Sequence, residues 1–238
     1  MAINYTTLVE NLSGSRLKTY KNRMGCASDA ETIKLFFLFQ DISAHLFTPL
    51  QLLEVTLRNG IHTAVKKKRR QADWYNHIAL PKQSQNHLAF AQSSAMADLL
   101  GIRVPTTDDI ICRLPFGFWV YMLDAQYRNT APSTHIWDRH THANVFPNAG
   151  GNGTKAIFAR LKLINTLRNR LFHHEPVWNG HHIASTEQAL NKIKSEYRNI
   201  TEVLGWMSPE MKGLLSGWGF DGRLALACDA ARFDRRLW

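Results

Sequence analysis

Apolar residues that recur every three to four positions dominate this chain and argue against a sheet-based fold. Leu50, Leu53, Leu57, Ile61 and Val65 fall on one face of an α-helix, as do Ile157, Leu161, Ile164, Leu167 and Leu171. Leu190, Ile193, Tyr197, Ile200 and Leu204 form a third stripe. No strongly alternating segment longer than a few residues accompanies them, so the expected fold is all-α, with about seven helices built into a bundle with peripheral additions.

Local signals set the expected boundaries. Ser28 and Glu31 form a capping box, in which hydroxyl and carboxylate satisfy free amides, and a helix follows to about Leu46. Thr48, Pro49 and Gln51 repeat that logic and open a second helix, which ends in the basic run Lys66 to Arg70. A third is expected between Asn86 and Leu100. Pro115 and Gly117 split or kink the helical pattern between Asp108 and Arg128. Thr130 to Thr154, broken by Pro132, Pro147 and the Gly150–Gly151 pair, reads as one long irregular connection. Helical spacing returns from Lys155 to about His173, then from the Ser185/Gln188 box to Gly205, and Ser208 with Pro209 opens a last short helix.

With 238 residues, one compact domain with its own core is expected. Hydrophobic residues at 45% and charged residues at 20% are ordinary globular proportions and exclude a mainly solvated chain. The formal net charge of +10 points to an anionic partner, nucleic acid first. The longest apolar run, Leu35 to Phe39, is far short of the roughly 20 residues that span a bilayer, so no membrane crossing is expected. Met1 to Glu10 lacks a basic segment followed by an apolar one, which makes the cytoplasm the expected compartment. Cys26, Cys112 and Cys228 are odd in number and far apart, and are expected to be buried thiols.

The densest chemistry lies in Leu167 to Trp178, L-R-N-R-L-F-H-H-E-P-V-W. On a helix Asn169 and His173 share a face, and Arg170 and His174 do likewise, while the long side chain of Arg168 can swing to the same end. A phosphate fits between such groups. The spacing equally fits histidines that cap a helix carboxyl end with the arginines facing solvent.

Arg168, Asn169 and His173 match the R-N-x3-H form of the R-x4-6-H motif of HEPN-domain ribonucleases, and R-N-R-L-F-H-H-E-P resembles the signature of the Abi-like (abortive infection) branch of that superfamily. Leu53 to Asn59 (L-E-V-T-L-R-N), Leu114 to Trp119 (L-P-F-G-F-W) and Ile136 to Asn148 resemble other family segments in order and spacing, so that the likeness covers roughly residues 30 to 180. The resemblance implies a HEPN-like bundle that dimerises so that two motif helices meet. It implies an endoribonuclease needing no metal or other cofactor, because RNA carries its own nucleophile in the 2′-hydroxyl. In that reading His173 moves protons, Arg168 stabilises phosphate charge and Asn169 orients one of them, with Arg170, His174 and Glu175 in support. Glu54 and Arg58 would orient the polar groups of the motif helix. The resemblance further implies a toxin-type role in phage defence or a toxin–antitoxin pair, restrained by a protein or small-RNA antitoxin. The alternative is a non-catalytic RNA-binding or scaffold dimer.

Other residue patterns carry weaker expectations. Glu54, Arg58 and His62 recur at four-residue spacing opposite the leucine stripe, where a simple helix-stabilising pair is the competing reading. Lys66, Lys67, Lys68, Arg69 and Arg70, with Trp74 and Tyr75 behind them, combine phosphate-binding charge with rings on which bases stack, or else form a solvated helix end before core aromatics. Arg232, Arg235 and Arg236 offer to extend an RNA surface. A metal cluster from His173, His174, His181, His182 and Glu175 is not expected, since Trp178 stands where H-E-x-x-H needs its second histidine. Gly150, Gly151 and Gly153 complete no phosphate loop, and His135, His140 and His142 carry no assigned role.

Overall fold

A computed structural model of the chain describes residues 3–180 and 182–235; His181 and Arg236, both named above, lie outside them. Among the described residues the fold is all-helical, with no strand. The helices are α1 (Tyr5–Leu12), α2 (Gly14–Met24), α3 (Asp29–Arg69), α4 (Lys82–Asp98), α5 (Thr107–Ile111), α6 (Phe116–Tyr121), α7 (Arg139–Val145), α8 (Thr154–Phe172), α9 (Thr186–Met207), α10 (Pro209–Gly217) and α11 (Phe220–Ala227). None is long and apolar enough to cross a membrane.

Two expected elements are redrawn. The helices on either side of Thr48 are one 41-residue helix, α3, with Pro49 inside it. An interior proline removes one backbone bond and costs about 3 kcal/mol. Leu46, Leu50 and Leu53 are buried around it, and each contributes roughly 1.5–3 kcal/mol on burial, enough to carry the helix through. The connection from Thr130 to Thr154 is also not wholly irregular, because Asp138 accepts from the Thr141 amide at 2.7 Å and caps α7.

The expected caps form. Ser28 Oγ accepts from the Glu31 amide at 3.2 Å while the Glu31 carboxylate accepts from Ala27 at 2.8 Å. Ser185 and Gln188 repeat the arrangement at the start of α9, with Ala184 donating to the Gln188 side chain. Pro115 begins α6.

The chain divides into two compact units. The first runs to Gln51, resumes over Thr166–Thr201 and again from Lys212; the second comprises Leu52–Asn165 and Glu202–Met211. In the first, Trp178 is fully buried, with Tyr20 edge-on at 5.4 Å and Phe39 tilted at 5.4 Å between ring centroids, and Phe233 packs on Phe39. Such contacts add about 0.5–1.5 kcal/mol each beyond the area they bury. In the second, Leu53, Leu57, Ile61 and Val65 of α3 and Ile157, Leu161 and Ile164 of α8 are buried as their spacing predicts. Trp74, Tyr75 and Trp119 complete that core, with Trp137, whose indole donates to the Met122 carbonyl at 2.6 Å. Cys26 and Cys228 are buried, and burial pushes both thiols up; Cys112, against expectation, is exposed at the end of α5.

Candidate functional site

The carboxyl end of α8 carries Arg168 and Asn169, with His173 immediately after its last residue, all in the first unit. The helix ends in two nested backbone bonds, Glu175 N–H to Arg170 carbonyl at 2.9 Å and His174 N–H to Leu171 carbonyl at 3.1 Å. That ending needs a left-handed residue, and His174 supplies it at φ 55°. His173 still donates its amide to the Asn169 carbonyl at 2.9 Å, so Asn169 and His173 keep helical register and one face. His174 does not: its left-handed turn takes it out of the helix, and the expected side-by-side projection of Arg170 and His174 is lost.

Asn169, His173, His174 and Glu175 are exposed, and Arg168 is half-buried. The Arg168 guanidinium lies 4.0 Å over the Phe172 ring, whose centroid is 5.4 Å from that of Phe47. Both rings are partly open to solvent, at 42% and 40%. Stacking fixes the plane of the guanidinium against the ring face. His173 makes no side-chain hydrogen bond among the described residues.

Three other arginines near this end are structural. Arg170 donates to the Asn179 carbonyl, Arg23 to the Gly180 carbonyl, and Arg16 to the His174 carbonyl at 2.6 Å. Arg170 thus supports the segment after the helix through its backbone, and sequence spacing had no means of separating it from Arg168.

The remaining expected residues scatter. Glu54 and Arg58 are half-buried on α3 in the second unit, where Arg58 Nε donates to the Asn59 side chain at 3.2 Å. His62 does not share an open face with them: it is buried, its Nδ1 accepting from the Trp74 indole at 3.1 Å, and burial lowers its pKa. The basic run divides by task. Lys68 pairs with Asp138 at 2.9 Å and donates to the Ile136 carbonyl, and Arg69 donates to the His135 carbonyl, whereas Lys66, Lys67 and Arg70 are exposed. Trp74 and Tyr75 are buried and cannot act as base platforms. Arg232 is likewise spent, on Asp41 and the Ala227 carbonyl, and Arg235 on the Met24 and Gly25 carbonyls. His142, unassigned in the sequence, lies in the second unit with Nδ1 3.0 Å from the Thr154 hydroxyl.

Among the described residues no group of three or more histidines, cysteines or carboxylates is gathered as metal ligands. No protein-family model, curated protein or solved structure matches the chain.

Proposed function

We propose that the chain is a metal-independent, toxin-type endoribonuclease, an Abi-like member of the HEPN superfamily acting in phage abortive infection or a toxin–antitoxin pair. In this reading the all-helical fold is a HEPN-like bundle, the working form is a homodimer, and a protein or small-RNA antitoxin restrains it. One observation carries the proposal: Arg168, Asn169 and His173, which match the family motif, stand on one helix end with the imidazole and amide open to solvent.

The chemistry follows from those groups. His173 takes the proton from a ribose 2′-hydroxyl, whose oxygen bonds to the adjacent phosphorus while the bond from phosphorus to the 5′-oxygen breaks. Products are a 2′,3′-cyclic phosphate and a 5′-hydroxyl. Arg168 stabilises the charge that accumulates on the phosphoryl oxygens, and its stacking on Phe172 pre-positions it. The 5′-oxygen needs a proton, and a single His173 without a side-chain partner cannot be base and acid in the same step. A second copy supplies the second imidazole, which is why the reading requires a dimer. The net charge of +10 draws polyanionic substrate to it.

Purified protein incubated with labelled RNA in the presence of a chelator tests the proposal. The parent should cleave, and Arg168→Ala and His173→Ala should each lose about 100-fold or more in rate, the scale of a general acid–base group. Cleavage by either variant at the parental rate overturns the assignment. Retention of RNA with no cleavage by the parent establishes the non-catalytic RNA-binding reading instead.

A further inference from the structure

The second unit carries an open groove that the α8 chemistry does not use. Two adjoining cavities of about 470 and 390 Å³ open along α3 and α7 and share Ala64, Lys67 and Asn144 as lining residues. We infer that this groove binds the sugar–phosphate backbone of single-stranded RNA, with Lys67 as the phosphate contact at its centre. The inference does not depend on α8 cutting RNA.

Charge is the first support. Lys67 is exposed and makes no ion pair among the described residues, and it faces both cavities. The single carboxylate in the lining, Asp138, is already engaged by Lys68 at 2.9 Å and by the Thr141 amide at 2.7 Å. The carboxyl end of α3 contributes a partial negative charge of roughly half a unit, which the full charges on Lys66, Lys67 and Arg70 outweigh.

Lining chemistry is the second. Thr56, Asn59, Thr63 and Asn144 bring neutral donors and acceptors to the groove, suited to phosphate oxygens and ribose hydroxyls. Between them the lining is mostly apolar, and half-exposed Val55 and Met211 give surface on which a base can rest. Each cavity falls within the roughly 300–1,000 Å³ of ordinary ligand sites, so together they hold more than one nucleotide. The 2′-hydroxyl is the group that lets such a lining prefer RNA to DNA.

The test is fluorescence anisotropy of a labelled single strand of about 12 nucleotides, a length within known single-strand site sizes. The full chain carrying His173→Ala is titrated, and a gel of the same mixture reports whether the RNA stays intact, so that failure of the cleavage reading shows separately. Added Lys67→Glu and added Thr63→Trp, which fills the groove from an exposed α3 position, should each weaken binding by about tenfold or more. Added Lys18→Glu, the same charge change at an exposed α2 position in the first unit, should weaken it by less than about threefold. Lys67→Glu should also flatten the log–log salt dependence by about 0.7, the value for one phosphate contact on a single strand. Losses no larger for Lys67→Glu than for Lys18→Glu, or parental binding by Thr63→Trp, overturn the groove; equal affinity for DNA of the same sequence overturns its assignment to RNA.

Discussion

His174 closes α8 in a conformation that a side chain resists, and replacing it with glycine should stabilise the protein. Its φ of 55° places it in the left-handed region, where a β-carbon costs roughly 1–2 kcal/mol. Glycine removes that cost and returns about 0.5–1 kcal/mol through the greater freedom of the unfolded chain. The imidazole is exposed and makes no hydrogen bond among the described residues. The contact that matters here is the backbone carbonyl, which accepts from Arg16 and survives the substitution. The balance is a gain of about 1 kcal/mol for His174→Gly, with no gain for His174→Ala, which keeps the β-carbon. Urea unfolding of parent, glycine and alanine variants side by side reads the effect. In a chain of this length the gain is about 2–4 °C in Tm. A glycine variant no more stable than the alanine variant would refute the backbone account of this turn.

Two further outcomes concern the second unit. Burial raises the Asp138 carboxyl, but the Lys68 ammonium and the Thr141 donors outweigh burial and hold it below the usual carboxylate range. Its stabilisation is therefore present above an unfolded pKa of about 3.9 and is lost as pH falls through the lower folded value. Asp138→Ala, losing ion pair and α7 cap together, should cost about 1–2 kcal/mol, and Asp138→Asn, which keeps a capping oxygen, about half as much. Urea midpoints measured toward acid should show the gap between parent and Asp138→Asn closing; a gap constant down to the lowest pH contradicts the linkage. For His62 the sign concerns a base. Burial lowers its folded pKa, with Lys66 adding to the effect and Asp108 opposing it, so the unfolded chain binds the proton more readily. Stability should fall as pH drops below about 6.5, and His62→Gln, whose amide oxygen can still accept from Trp74, should flatten that fall in thermal melts. His142, whose pKa burial also lowers, accounts for the remaining slope. An unchanged pH profile in His62→Gln would show that this imidazole does not titrate with unfolding.

What the sequence made legible was local and periodic. The boxes at Ser28 and Ser185 and the apolar stripes of α3, α8 and α9 follow from backbone satisfaction and helical geometry within a few residues, and the structure reproduces them except at Leu171, which is only half-buried at the end of α8. Pro49 misled because Thr48, Pro49 and Gln51 form a complete local start signal, and only the burial of Leu46, Leu50 and Leu53, which is tertiary, overrides it. The seven-residue α7 was missed because its Asp138 cap stands alone, without a stripe long enough to read. At the candidate site the R-N-x3-H spacing correctly placed Asn169 and His173 in one register, but a spacing argument treats His174 as helical when its left-handed turn takes it out.

Basic residues show where sequence reading stops for a physical reason. A count of cations predicts a field, whereas recognition depends on which cations still have donors to offer. Arg16, Arg23 and Arg170 hold the carbonyls of His174, Gly180 and Asn179, backbone acceptors of the segment that follows α8. Lys68, Arg69, Arg232 and Arg235 are engaged in the same way elsewhere in their own units. A buried or half-buried carbonyl is expensive to leave unmet, and a guanidinium with five donors meets it at long range, so arginines next to chain reversals are drawn into the structure first. What remains for an anion is a smaller set, with Lys66, Lys67 and Arg70 exposed at the end of α3. The formal charge of +10 attracts anions to the whole molecule, but donors still free of backbone duty decide where a phosphate can be held.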